Sequence, residues 1–261
     1  IDITAVRTGV QPMLSAYTHS SQGKKKNFFT KAYGEENNPL PMPGGHGQNF
    51  HVLKNLYGKL REEGKRFVYL GNVDNLGFTV NAPALAILAL RGSQGGFEFA
   101  FRTKVDMKAE RHARTILHPE FLDQNGNLNC ADIGPAISMD EVHSMEDKGK
   151  KILFNCATGL FSLDYLTEKI DHIIENLPLR FSDQDKDAGK YSQAEQVTWE
   201  VISIMDDLLV FGVDKYHRFL AAKLLLEGLM TSGVQIDNPE YRTHQEPDKN
   251  LKGIATTLSG A

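Results

Sequence analysis

The chain has 261 residues, 41% hydrophobic and 24% charged, with a net charge of −4 and two cysteines. This balance excludes a disordered chain, a collagen-like repeat and a disulfide scaffold, and a chain of this length buries its own core without covalent staples. The acidic excess argues against polymeric nucleic acid as a partner but leaves room for a local nucleotide site. Two cysteines, Cys130 and Cys156, fit free thiols in a reducing compartment, so a cytoplasmic location is expected. No apolar run approaches the roughly 18–20 residues of a membrane span, and no signal-peptide pattern opens the chain. It begins at Ile1 rather than Met, so processing, trimming or an incomplete sequence is expected.

Residues 1–40 are poorly periodic and read as loop, with one short strand near Phe28–Phe29 and a solvated basic run at Lys24–Lys26. The Gly-rich stretch Pro41–Gln48 follows, then apolar residues at Phe50, Leu53, Leu56, Tyr57 and Leu60, the spacing of a helix over 50–63 ended by Gly64. Arg66–Asp74 reads as a buried parallel strand opening into a site at its carboxyl end. Pro83–Leu90 predicts a helix with proline in its first turn, and the alternation from Phe97 to Lys104 predicts a strand. Asn125-Gly126 signals a hairpin whose returning strand is Leu128–Ile133. Lys151–Cys156 is a further short strand, and helices are expected over Phe161–Asn176, Gln193–Met205 and Tyr216–Met230. Residues 1–230 form the expected domain, and 231–261 a polar tail. Alternating strands and helices predict an α/β fold with a parallel or mixed sheet, and the Asn-Gly hairpin predicts an antiparallel insertion.

Four places have residues suited to chemistry. Gly44-Gly45-His46-Gly47 can offer backbone amides and an imidazole to a phosphate or a planar base, or serve as a plain turn. In Gly71-Asn72-Val73-Asp74-Asn75, a carboxylate between amides suits Mg²⁺, although Asp74 and Asn75 also suit capping of the next segment. Asn155 fits a sugar hydroxyl or a turn. Lys223, in an otherwise apolar helical pattern, either snorkels to solvent or points at phosphates. The remaining histidines have no metal-ligand spacing, so zinc is not expected. No Gly-x-Ser-x-Gly elbow occurs, and Gly92–Gly96 lacks the Lys-Ser/Thr of a P-loop.

Taken in order, Pro43-Gly-Gly-His-Gly47, Phe67-Val-Tyr-Leu-Gly-Asn-Val-Asp-Asn-Leu-Gly77, Lys104-Val-Asp-Met-Lys108, Leu153-Phe-Asn155 and Arg218-Phe-Leu-Ala-Ala-Lys223 resemble the UDP-sugar pyrophosphorylases. The resemblance covers roughly residues 28–230 and is most specific in Asn-x-Asp-Asn-Leu-Gly. It implies a nucleotide-diphospho-sugar transferase-like (Rossmann-like) mixed sheet with helices on both faces and a β-hairpin insertion. It implies formation of UDP-glucose and pyrophosphate from UTP and glucose 1-phosphate, by Mg²⁺-assisted in-line attack on the α-phosphate. By the same resemblance, His46 and Lys223 serve the phosphates, Gly45 approaches the uracil and Asn72 meets the ribose or sugar. Asp132 and Asn155 contact the sugar, Phe219 lines the pocket and Asp74 holds Mg²⁺. The alternatives are UDP-N-acetylhexosamine pyrophosphorylase activity, against which the His of Gly-His-Gly argues, and a non-catalytic UDP-sugar-binding protein.

The sequence also departs from the family. The family's Gly-rich phosphate loop and Gly-Pro-Lys segment have no counterpart in residues 1–45. Ala109-Glu110 replaces glycines after Lys108, and Asn155-Cys-Ala157 lacks a second Asn. The family's C-terminal β-helix is not matched.

Overall fold

The computed structural model describes residues 6–101, 115–122, 126–133 and 137–219. Its strands are β1 (Met13–Ser15), β2 (Tyr17–Thr18), β3 (Pro41–Pro43), β4 (Phe67–Gly71), β5 (Gly95–Phe101), β6 (Thr115–Leu122), β7 (Leu128–Asp132), β8 (Leu153–Ser162), β9 (Leu179–Lys186), β10 (Gly189–Gln196) and β11 (Leu208–Val213). Its helices are α1 (Asn49–Val52), α2 (Lys54–Glu62), α3 (Ala82–Arg91), α4 (Met139–Asp147), α5 (Leu163–Asn176) and α6 (Lys215–Arg218). Among the described residues, no helix is long and apolar enough to cross a membrane.

The main sheet is mixed and runs β11-β5-β8-β6-β7, with β4 also beside β8. β8 organises it. Its first half pairs with β6 at Leu153 and Phe154, its second half pairs with β4 from Thr158 to Ser162, and β5 lies along its other edge. All three partners are antiparallel to β8, while β11 is parallel to β5. The expected parallel strand at 66–74 is therefore antiparallel to its neighbour. Nor is it fully buried: Phe67 to Leu70 are half-buried and Gly71 is exposed, with Val68 and Leu70 packed against the core. β4 and β5 are parallel to each other, and α3 makes the crossover between them.

Side chains alternate across β5, and both faces are covered. A Cβ at Gly96 would meet Leu88 of α3 at 3.1 Å, whereas one at Gly95 would meet Met205 at 2.6 Å. Phe97 packs edge-on against Phe161 at 5.2 Å, and Phe161 packs against Phe50 of α1 at 6.0 Å. α5 turns Leu163, Leu166, Ile170 and Ile173 inward, the spacing of one helical face, and α2 packs on it. The exposed pairs Lys54–Asp171 and Arg61–Asp164 lie along that seam and contribute little. α3 starts where Asn81 Oδ1 accepts the Ala84 N–H and stops at Gly92, in the left-handed region.

Three further expectations change. Gln193–Met205 is not a helix: β10 runs to Gln196, and a short 3₁₀ turn covers Thr198–Ser203. The β-branched Val197, Thr198 and Val201 favour this outcome, and β10 pairs throughout with β9. The basic run is not uniformly solvated either. Lys26 Nζ donates to Ser192 Oγ at 2.6 Å, to Ser20 Oγ at 2.8 Å and to Asp183 at 3.3 Å, and it lies 5.7 Å from the Phe181 ring centre. It ties the early loop to the β9–β10 hairpin. Near Phe28 there is an isolated bridge to Tyr17 rather than a strand. Residues 123–125 of the hairpin turn, the Lys104–Lys108 motif and everything after Phe219 lie outside the described residues.

Candidate active site

The Gly-rich segment runs from β3 into a 3₁₀ turn at His46–Gln48 and then α1. Gly45 adopts φ 83° and ψ 163°, a conformation essentially reserved for glycine. It also lies flat against the end of β10, where the Gln196 N–H donates to Gly44 O at 2.9 Å. On the other side Gln11 Nε2 donates to Gly45 O at 2.8 Å. The segment is thus a fixed backbone shelf.

His46 is oriented from behind. The Thr198 N–H and Oγ1 both lie against its Nδ1, at 3.2 and 2.8 Å. Thr198 Oγ1 donates to the His46 carbonyl at 2.9 Å and accepts from Asn49 Nδ2 at 2.9 Å. Asn49 is held in turn by the Tyr57 hydroxyl, which donates to its Oδ1 at 2.9 Å. His46 itself is exposed. Burial pushes the Tyr57 hydroxyl well above its ordinary value, which keeps it a donor. Thr198 and Asn49 have no sequence signature, because their role depends on a partner about 150 residues away.

A second cluster forms where β4 ends. Asn72, Val73 and Asp74 make a turn, with Asp74 half-buried and Val73 fully exposed. Asn75 anchors this turn. Its Nδ2 donates to Cys156 O at 3.2 Å and Arg218 O at 3.0 Å, and its Oδ1 accepts the Gly77 N–H at 3.1 Å. Asn75 thereby ties this turn to β8 and to the Arg218 backbone.

Asn155 sits beside this anchor for a reason written into β8. The β5–β8 register jumps from Phe97↔Gly159 to Phe99↔Asn155, so Cys156, Ala157 and Thr158 bulge opposite Glu98. Ala157 takes φ 49°, and its N–H donates to Asn155 Oδ1 at 2.9 Å. Bulges re-aim strands and collect near functional sites. Asn155 is 4% exposed, and among the described residues its Nδ2 makes no protein hydrogen bond. Cys156, within the bulge, is a free thiol that burial pushes up to about 12, so it is not a nucleophile at neutral pH.

The structure thus brings together the Asn72–Asp74 turn, Asn155 and, through the Arg218 carbonyl, the buried Phe219. Gly45 and His46 form a separate cluster joined to the first by Trp199. That ring lies 6.0 Å from His46 and would be 3.0 Å from a Cβ at Gly159 of β8. Asp132 ends β7, which packs against the Thr198–Ser203 turn and lies two strands from β8. Lys223 lies outside the described residues. Among those residues no three His, Cys, Asp or Glu side chains gather into a metal cluster.

The family model for UTP–glucose-1-phosphate uridylyltransferase matches residues 22–253. Among solved structures, a Leishmania major UDP-glucose pyrophosphorylase variant in complex with UDP-glucose aligns with a TM-score of 0.62 and 18% identity, over 84% of this chain and 47% of that one. A Trypanosoma brucei UDP-glucose phosphorylase aligns with a TM-score of 0.63 and 20% identity, over 80% and 45%. An Entamoeba histolytica protein assigned as a UDP-N-acetylglucosamine pyrophosphorylase aligns at 0.61 and 17%, over 83% and 53%. The chain therefore spans about half the length of the structures it matches. No curated protein sequence matches it. The shared fold is the nucleotide-diphospho-sugar transferase-like mixed sheet.

Proposed function

Because the chain belongs to the UTP–glucose-1-phosphate uridylyltransferase family, we propose that it serves uridylyl transfer from UTP to a sugar 1-phosphate, with glucose 1-phosphate as the sugar substrate. A phosphate oxygen of the sugar 1-phosphate attacks the α-phosphorus of UTP. The bond from that phosphorus to the β-bridging oxygen breaks, pyrophosphate carries away the electron pair, and UDP-glucose remains. The observation that carries this reading is the Asn75 anchor, which fastens the Asp74 turn to the Asn155 bulge and to the Phe219 segment.

The proposed roles follow from what each group offers. The Gly45 shelf lets a planar uracil approach the backbone, and His46 serves the nucleotide phosphates. Asn72 meets the ribose or sugar, Asn155 Nδ2 donates to a sugar hydroxyl, and Asp132 takes a second sugar contact. Phe219 walls the pocket, and Lys223 is assigned to the phosphates. Asp74 fits Mg²⁺, a cation held by one or two carboxylates with substrate phosphates and water completing its shell. When bound, Mg²⁺ would neutralise charge on the phosphates. Transfer of this kind depends on positioning and electrostatics more than on covalent chemistry.

A second reading is nucleotide-sugar binding without turnover. Trp199, the single tryptophan of the chain, reports the binding that both readings expect, and pyrophosphate release separates them. Its fluorescence should change saturably with UTP and UDP-glucose, and pyrophosphate should be released with UTP, Mg²⁺ and one member of a panel of sugar 1-phosphates. Saturable binding without pyrophosphate would favour the binding protein; no response to uridine nucleotides would refute both.

A further inference from the structure

Glu98 lies on β5 opposite the β8 bulge and is 2% exposed. Arg218 grips it with two parallel bonds, Nε to Oε2 at 2.8 Å and Nη2 to Oε1 at 2.9 Å. The same guanidinium reaches the stretch after the Asp74 turn, donating to Thr79 Oγ1 at 2.6 Å and to the Thr79 carbonyl at 2.9 Å. Asn81 Nδ2 donates to Glu98 Oε1 at 3.1 Å while its own Oδ1 caps α3. The Tyr69 hydroxyl of β4 donates to the Asn81 carbonyl at 3.0 Å. Even the Arg218 main chain takes part. Its carbonyl accepts from Asn75, and it passes so close to Gly77 that a Cβ there would stand 2.6 Å from the Arg218 carbonyl carbon.

This clamp holds a stretch that apolar packing leaves loose. Val73, Leu76, Phe78 and Val80 are all exposed, although Phe78 meets the Tyr69 ring edge-on at 6.1 Å. Burial of these side chains contributes little to fixing the turn, so its position is set by Asn75 and by the guanidinium. A bidentate, charge-assisted pair fixes direction as well as distance. Buried pairs of this kind add little net stability over an apolar replacement, yet are costly to break from one side. Geometry is therefore the better account of what the pair supplies.

We propose that Glu98 is a positioning residue for the transfer: it makes no substrate contact, but by fixing Arg218 it sets the Asp74 turn against the Phe219 segment that leads to Lys223. The role rests on the uridylyl-transfer reading above. Three variants test it, Glu98→Gln, Glu98→Asp and Arg218→Lys, each assayed for kcat, for the KM of glucose 1-phosphate, and for UTP affinity by Trp199 fluorescence. Glu98→Gln should lower kcat about 100-fold, the scale of a misplacement near 1 Å. UTP affinity, measured without Mg²⁺, should fall far less than kcat, because the Gly45–His46 shelf is held by Gln196 and Thr198. Glu98→Asp, which keeps the charge, should recover about tenfold of the lost kcat. Arg218→Lys keeps a buried cation but loses the planar fork, and should show the same split if Glu98→Gln fails to fold. A parallel fall of kcat and UTP affinity would make the clamp merely structural and overturn the role. An unchanged kcat in Glu98→Gln beside a wild type that turns over would also overturn it. A wild type that binds UTP but releases no pyrophosphate would fault the reaction reading itself, and the role with it.

Discussion

Replacing Gly45 by alanine puts a Cβ where the backbone of β10 already lies, 2.8 Å from Gln196 N and closer still to Gln196 O. Neither atom belongs to a flexible side chain that can swing aside. Gln196 N is tied to Gly44 O at 2.9 Å, so relief requires stretching that bond, at about 1 kcal/mol. The backbone conformation, φ 83° and ψ 163°, costs a residue with a Cβ a further 1–3 kcal/mol or so. The sum is about 2–4 kcal/mol, or roughly 5–15 °C in Tm for a domain of this size. Gly58 supplies the control. It sits inside α2, and a Cβ there would meet nothing within 4 Å. Gly58→Ala should therefore gain about 0.5–1 kcal/mol, from helix propensity and a less flexible unfolded chain. Thermal melts by circular dichroism read both signs, and Trp199 fluorescence reads whether the Gly45 variant still responds to UTP. Displacing Gln196 also moves Thr198, which orients His46, so that response should weaken. A Gly45→Ala protein melting within about 1 °C of wild type would refute the backbone contact and the shelf built on it.

Asn155→Asp keeps an acceptor for the Ala157 N–H while removing the Nδ2 donor; steady-state kinetics should show the sugar 1-phosphate KM raised about tenfold, with the UTP KM unchanged. Asp74→Ala should abolish Mg²⁺-dependent turnover and leave Tm within about 2 °C, because the residue is half-buried at a turn; an undiminished rate would remove it from the metal site. The Asp183 carboxyl is pushed up by burial, but the hydrogen bonds from Ser192, Ser20 and Lys26 outweigh this and hold it well below its ordinary 3.8. The unfolded chain therefore takes up the proton first. The resulting stability is present above about pH 4 and lost as pH falls below it, and Asp183→Asn should flatten that acid limb in a pH series of melts.

The parts of the site that sequence reveals are those fixed by local chemistry. Gly45 and Asn72–Asn75 stand out because glycine, Asn and Asp mark backbone turns wherever they occur. The helices over 54–62, 82–91 and 163–176 are legible from apolar spacing and caps. β8 is only half legible. The strand expected over Lys151–Cys156 continues to Ser162, because the bulge gives Asn155 Oδ1 a partner inside the strand. Lys24, Lys25 and Lys26 are equivalent by sequence. Only contacts to Asp183 and Ser192, more than 150 residues away, distinguish the third.

The same division runs through the candidate site. Asp74, Asn155 and His46 are residues whose type suggests chemistry, and spacing finds them. What aims them is found only in three dimensions: Thr198 behind His46, Asn75 across to Cys156, and Glu98 beneath Arg218. Each of these aiming contacts joins segments separated by 81 to 152 residues in the chain. Asn75 shows how little residue type decides by itself. It stands next to Asp74 in one motif, with the same hydrogen-bonding repertoire as Asn72, yet its amide is spent entirely on protein partners. A substitution there should therefore register first as lost stability and a misplaced Asp74 turn, and only through that turn as lost turnover.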